Sequence, residues 1–452
     1  MSVPSRDPST SGDAPDGWRD AWAKSFGERW VVDALVMSLV VFLFGAIRPL
    51  SDPDLPMHLA IGEWIAQHRA VPFVEPFAWT KPGAPYYAYS WLPQTLFYVV
   101  FDVFGHLGLR AVQGLLVLGS ALSVVVLSHA AGWRASQSVI LAGFNLIVAA
   151  FFVALLRPQS VLLITLPLVW AGFLRISDGR RAVSAALMLF VASALTANSH
   201  LFFPLTLAPA VLLWARPPER ARHGAIAVAS VLAGWMTSPY SLQWLRVFRY
   251  NFAPNILLRP PSAITELQPG FVTMLHPSPT PMIALVVLML AIPWALSRAP
   301  MRGRERLMAA VYWGGGLILF GYAARLFVAW WLLAILPAGW AVAHLTRDTE
   351  EAAPRARFRV LGLVACLVIV ATELTKSRAL WAMEGSTVRR TLPTVGAPPA
   401  ERLATWLAEH ANPVARPKLM TSFTFGSYLT WRMPNYSSSV DSRGIFPDSV
   451  IA

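Results

Sequence analysis

The residues able to do chemistry gather at a few points in this chain. The densest is S-D-P-D-L-P-M-H-L-A-I-G-E-W-I-A-Q-H, residues 51–68, where Asp52 and Asp54 are followed by His58. A carboxylate beside a histidine can act as a general base or as a metal ligand. Asp54 and His58 are four apart and share a face if the helix begins early. The alternative is that Asp52 or Asp54 merely caps the helix, since Asp ahead of an apolar run is a common N-cap. Arg157-Pro158-Gln159 opens a later apolar run: the guanidinium either snorkels to an interface or clamps a phosphate with its fixed fork. His200 in A-N-S-H-L is either part of a polar turn or a ligand contact, and Arg325 in Y-A-A-R-L-F either snorkels or binds an anion. A divalent metal is compatible with this set and not required by it.

The elements that must position these residues are membrane spans. Of 452 residues, 56% are hydrophobic and only 13% charged, against about a quarter charged in a soluble domain, which excludes a soluble globular protein. Charge-free runs such as 111–133, 135–156 and 326–346 can each cross roughly 30 Å of hydrocarbon. The net charge of +13 reads as membrane orientation, and no nucleic-acid partner is expected. The single cysteine, Cys366, can form no internal disulfide. No Walker loop, dinucleotide turn or zincin motif is present, so ATP-driven pumping has no support.

Residues 1–29 read as a disordered cytoplasmic tail, with Arg19, Lys24 and Arg29 ahead of the first span arguing for an inside N-terminus. Expected spans fall at 30–48, 110–131, 137–155, 159–175, 182–197, 201–214, 225–239, 280–297, 307–322, 326–345 and 360–374. The 182–215 run would be about 51 Å as one helix, so it reads as a hairpin turned at Asn198-Ser199-His200. Residues 91–104 are apolar but short and read as a surface or re-entrant helix, within an outer loop of 49–109; a second outer loop covers 240–279. The basic clusters at 175–181, 216–222, 298–306 and 347–359 then share the cytoplasmic side, while Asp52, Asp54, His58, Glu63 and Glu75 fall in the first outer loop and Arg157, Asn198 with His200, Tyr240, Glu266 and Arg325 at outer span ends. Ionisable groups at such depth are costly without a partner or a water-filled cavity, which makes them functional candidates. The transmembrane domain is thus 30–375. Residues 376–452 read as a small extracytoplasmic α/β domain, with a helix in PPAERLATWLAEH and strands in KLMTSFTF and SSSVDSR.

These residues also carry a resemblance. Asp52-Pro53-Asp54-Leu55 with His58, Gly62, Val71-Pro72, Glu75-Pro76-Phe77, Trp79-Thr80 and Trp91-Leu92 forms one set of blocks. It is followed in order by Arg157-Pro158-Gln159, Asn198 with His200, Ser238-Pro239-Tyr240, Glu266, Arg325, Phe425-Gly426-Ser427-Tyr428-Leu429 and Asp441-Ser442-Arg443-Gly444. The series resembles a large group of mostly uncharacterised bacterial polytopic membrane proteins. That group is related to the glycosyltransferase C superfamily of polyprenyl-phosphate-sugar-dependent enzymes.

The resemblance implies an all-α polytopic fold of about eleven transmembrane helices in the bacterial cytoplasmic membrane, with the C-terminus outside. It implies inverting transfer of a sugar from a polyprenyl-phosphate carrier to an envelope acceptor at the outer face. Asp54 or Asp52 would then be the catalytic carboxylate, with His58 beside it. Arg157, Gln159, His200, Glu266 and Arg325 would contact substrate or carrier phosphate. The expected partners are the lipid-linked donor and membrane lipids. The chain departs from the group at Pro56, Met57 and Ser238, and at Ser90, where the group has an acidic residue. Loss of that carboxylate favours an alternative, a non-catalytic structural or assembly subunit of a membrane protein complex. A transporter is a weaker reading, because few ionisable groups sit at mid-span.

Overall fold

The computed structural model describes residues 30–48, 50, 52–152, 156–177, 182–214, 221–252, 279–301, 303–322, 326–346, 397–410, 417–421 and 423–439. Its elements are α1 (Trp30–Ala46), α2 (Leu55–His68), α3 (Trp91–Ala130), α4 (Ala135–Phe152) and α5 (Leu162–Ser177), the last preceded by a 3₁₀ turn over Pro158–Val161. They continue with α6 (Ala182–Ala197), α7 (Val211–Trp214), α8 (Ala221–Trp235), α9 (Trp244–Phe252), α10 (Pro279–Arg298), α11 (Gly303–Tyr322) and α12 (Phe327–Leu345). Last come α13 (Ala397–His410), β1 (Lys418–Leu419), α14 (Phe423–Arg432) and β2 (Ser437–Ser438).

Among the described residues, three helical stretches are long and apolar enough to cross a membrane: Trp91–Ala130, Pro158–Ser177 and Phe327–Leu345. Val31–Ala46 and Ala182–Ala197 are shorter apolar helices. Large side chains such as Leu35, Leu107, Val183, Leu290 and Ile318 project outward. Large apolar side chains left exposed on so many helices suit hydrocarbon and are a liability in water.

The interior is organised around α12, which is buried along most of its length, with Trp330 and Trp331 fully enclosed. A helix apolar on all sides needs polar anchors to fix its rotation. Here Trp331 Nε1 donates to Asn145 Oδ1 (2.8 Å), and Asn145 Nδ2 donates to the Ser120 carbonyl (3.1 Å), tying α12 to α4 and α3. Trp170 Nε1 of α5 donates to the Leu332 carbonyl at 3.0 Å. Where α1 crosses α3, Gly45 and Gly114 let the backbones meet: a Cβ on Gly114 would lie 2.7 Å from the Phe42 carbonyl oxygen. Small residues at a helix crossing are a usual device within a bilayer.

The break expected near residue 104 is present. Gly105, at φ 60° and ψ −148°, interrupts α3 and divides a leading segment from the following long helix. That conformation is open to glycine and strained for other residues.

Two sequence expectations are corrected. Residues 201–214 do not form an α-helix throughout: Phe203–Ala210 is a 3₁₀ helix and only α7, one turn, follows. Pro204 and Pro209 lack the N–H that an α-helical ladder needs there. The segment KLMTSFTF is strand only at Lys418–Leu419, and Phe423 already belongs to α14. β1 pairs in parallel with β2 in the register Lys418 with Ser437 and Leu419 with Ser438. The expected span at 360–374 and the tail 1–29 lie outside the described residues.

Candidate active site

The site is assembled where α1 ends and α2 begins. Pro53 and Pro56 force the chain out of the α1 direction. α2 then buries Leu55, Met57, Leu59, Ile61 and Ile65 in a cluster with Phe97, Phe101 and Leu109 of α3 and Tyr428 and Trp431 of α14. α2 and α3 touch closely at Gly62, where an added Cβ would collide with the Gln94 carbonyl.

This placement sets three charged groups against one another. The Asp52 side chain is fully buried, and its Oδ2 accepts from Arg157 Nε at 2.7 Å. Asp54, with 24% of its side chain exposed, places Oδ2 3.0 Å from a terminal guanidinium nitrogen of the same arginine. The Asp54 backbone N–H donates to Asp52 Oδ1 at 2.9 Å. Arg157 thus grips two carboxylates from more than a hundred residues away, and its extended backbone ahead of Pro158 presents the side chain to them. Asp54 occupies the N-cap position of α2 but makes no side-chain cap bond.

His58 sits one turn into α2, its backbone N–H donating to the Asp54 carbonyl at 3.1 Å. Its Nδ1 lies 3.1 Å from Gln94 Nε2; with the amide donating, the ring proton sits on Nε2. Desolvation lowers the imidazole pKa to about 4, with the Arg157 charge acting the same way and Asp54 opposing. His58 is therefore neutral at neutral pH.

The same end of the bundle holds the other described candidates. Trp91 Nε1 donates to Asn198 Oδ1 (2.8 Å), and Asn198 Nδ2 donates to Thr237 Oγ1 (2.9 Å), which latches the start of α3 to the ends of α6 and α8. His200 Nδ1 accepts the Phe202 backbone N–H at 3.2 Å, and its ring meets Tyr89 edge-on. The Tyr240 hydroxyl accepts the Ala88 N–H (2.9 Å) and donates to the Pro72 carbonyl (3.1 Å), pinning two points of the segment between α2 and α3. Burial raises the Tyr240 pKa beyond its ordinary value, so the hydroxyl keeps its proton. His200 and Tyr240 also line a shallow, mostly apolar cleft with Phe203, Trp235, Trp244 and Val247.

Asp52, Asp54, His58 and Arg157 are therefore brought together. Gln159 is half-buried in the 3₁₀ turn that follows Arg157, and His200 belongs to the neighbouring aromatic cluster. Glu266 and Arg325 lie outside the described residues. Glu75 has a local role: its Oε1 accepts the N–H groups of Phe77 (2.8 Å) and Ala78 (2.9 Å). Gln94, the partner of His58, was not singled out from sequence. Its only signal there was a polar residue in the otherwise apolar start of α3.

The carboxylates do not form a ready metal site. Both face the guanidinium, and among the described residues no group of three or more His, Cys, Asp or Glu side chains is placed to hold a metal ion.

The fold has solved counterparts. An archaeal oligosaccharyltransferase, AglB from Archaeoglobus fulgidus, in complex with an inhibitory peptide and a dolichol-phosphate, matches 93% of this chain and 65% of its own. The TM-score is 0.55 and the identity 12%. An Archaeoglobus fulgidus oligosaccharyltransferase tethered by a disulfide to an acceptor peptide with the NVT sequon gives the same values. Its apo form gives a TM-score of 0.57 over 92% of this chain at 12% identity. The chain thus spans 65% of the length of these neighbours, and at this identity the likeness is one of fold. No protein-family model and no curated protein sequence matches the chain. The neighbours are archaeal, so they lend no support to the bacterial grouping read from the sequence blocks. This chain shares the fold of these neighbours and carries, among the described residues, three helices long and apolar enough to cross a membrane.

Proposed function

We propose that the protein is a membrane glycosyltransferase that moves a sugar from a polyprenyl-phosphate carrier to an envelope acceptor at the outer face of the cytoplasmic membrane. The observation that carries the reading is the Asp52–Arg157–Asp54 triad between α1 and α2, in a chain whose fold is like that of the oligosaccharyltransferases. Asp52 is enclosed and serves to hold Arg157. Asp54 is partly open, and Arg157 fixes its orientation. In the proposed reaction an acceptor hydroxyl approaches Asp54, which takes its proton as the oxygen attacks the anomeric carbon. The bond from that carbon to the carrier phosphate breaks, the phosphate leaves with its electron pair, and the configuration inverts. His58, neutral and hydrogen-bonded to Gln94, keeps a further positive charge away from the carboxylates. The carrier phosphate is assigned to Arg157 and Arg325, with Gln159, His200 and Glu266 as further substrate contacts. A neighbour's complex with dolichol-phosphate supports a lipid-linked donor here as well.

The test is transfer of labelled sugar from a polyprenyl-phosphate donor by the purified full-length protein in proteoliposomes. Wild type is expected to consume donor and Asp54→Asn to lose about 10² to 10⁴-fold. Failure of the wild type to consume any of a panel of such donors, while folded, would overturn the proposal.

One feature favours a second reading, a non-catalytic subunit of a membrane complex. Both carboxylates are already paired to one arginine, and Ser90, where the resembled group is acidic, supplies no third. Purification from native membranes as a stable stoichiometric complex, without donor consumption, would favour this role.

A further inference from the structure

α9 lies just beyond the site and is the most amphipathic described helix of the chain. It is not a span: nine residues, W-L-R-V-F-R-Y-N-F, follow a short 3₁₀ turn at Ser241–Gln243. Its inner face is well seated. Val247 is buried, Phe248 packs on Phe203 (5.7 Å between ring centroids), and Tyr250 meets Tyr87 edge-on at 5.3 Å. The outer face of the turn and helix together mixes two chemistries. Leu242 is 87% exposed and Leu245 57%, and Arg246 and Arg249, also exposed, stand beside them at helical spacing.

Two exposed leucines with two exposed arginines suit neither water nor hydrocarbon alone. They suit the boundary, where aliphatic chains lie beneath anionic headgroups. The position agrees. Leu232 in the last turn of α8 and Met236 just after it are exposed apolar residues, and along the chain Leu242 and Leu245 are the next large apolar side chains left exposed beside Trp244 as it leaves the bundle. A second protein would be expected to meet a more apolar central patch with fewer charges.

We infer that α9 is an interfacial anchor: Leu242 and Leu245 insert among acyl chains of the outer leaflet while Arg246 and Arg249 bind the phosphates of anionic lipids. Because Trp244 and Val247 of the same helix line the aromatic cleft with His200 and Tyr240, the anchor sets that cleft at headgroup level. The inference rests on the multi-pass membrane fold and not on sugar transfer, so either can fail alone.

The test uses the full chain in lipid nanodiscs. Cys366 is replaced by Ser, Leu245 by Cys, and an environment-sensitive NBD fluorophore is attached at 245. The expected result is blue-shifted emission, quenched by lipids spin-labelled near the headgroup and little affected by aqueous iodide. Raising the phosphatidylglycerol fraction should deepen the shift, and Arg246→Glu with Arg249→Glu should abolish that dependence. Red-shifted, iodide-quenched emission would overturn the inference by placing α9 in water. Blue-shifted emission insensitive to lipid quenchers would also overturn it, by showing protein covering the face. Leu242→Cys, labelled in the same way, guards against a local defect at 245.

Discussion

Replacing Arg157 by Leu removes the one cation that pairs with Asp52 among the described residues, and the cost follows from burial. The Asp52 side chain is fully enclosed and its Oδ2 loses a 2.7 Å partner, keeping only the Asp54 N–H on Oδ1. Stranding a buried charge costs about 3–5 kcal/mol. The contact to Asp54, 24% exposed, adds about 1 kcal/mol or less, because solvent screens it. Arg157→Lys should fall between wild type and Arg157→Leu, since a single ammonium lacks the fork that reaches both carboxylates. Asp52→Asn with Arg157→Gln removes the buried charge together with its partner, and should recover about 2–3 kcal/mol relative to the sum of the two single changes. The assay is thermal denaturation of the purified protein in detergent, followed by tryptophan fluorescence and compared as a double-mutant cycle. An additive cycle, or an unshifted midpoint for Arg157→Leu, would refute the argument that Arg157 is first a partner of buried carboxylate.

His58 predicts a pH effect. Its folded pKa of about 4 lies below the ordinary 6.5, so the unfolded chain binds more protons between those values and stability rises with pH across that window. Acidification from pH 6.5 to 4 should therefore cost roughly 3 kcal/mol from this group, and denaturation midpoints of His58→Gln should be flatter over the same range; a parallel profile would contradict it. Gly62→Ala should push α2 from α3 and destabilise by about 1–3 kcal/mol, with the Gln94 contact to His58 lost, as read by thermal denaturation. Asn198→Ala removes the latch to Trp91 and should cost about 1 kcal/mol while increasing hydrogen exchange at the start of α3. Unchanged exchange there would mean that the loop is held elsewhere.

The parts of this account legible in sequence were those carried by local pattern. Apolar runs located most helices, the shortness of the 91–104 run set it apart from the span that follows, and Asp52, Asp54 and His58 stood out because three ionisable groups within seven residues beside a span are costly without a purpose. Pairing across long separations was not legible. Arg157 read locally as an interfacial or phosphate-binding arginine, because nothing within its own segment reports that two aspartates a hundred residues earlier fill its fork. Gln94 and the latch between Trp91 and Asn198 are likewise products of tertiary approach. The misreading of α14 has a packing cause. Its aromatic and β-branched residues suit a strand in isolation, but helical spacing brings Tyr428 and Trp431 together into the cluster under α2. The same C-terminal segment clasps the first loop, with Thr80 Oγ1 donating to the Ser439 carbonyl (2.8 Å) and Trp79 Nε1 to the Leu419 carbonyl (3.3 Å). Sequence alone placed this segment in a separate domain and offered no sign of the clasp.

The most direct test of the central claim is a cryo-electron-microscopy map of the full-length protein, in nanodiscs, with a polyprenyl-phosphate sugar. The account predicts density for the carrier phosphate between the first outer loop and the bundle, with the sugar directed toward Asp54. A map in which that space is filled by a protein partner, or in which the carrier binds at the opposite, arginine-rich end, would contradict it.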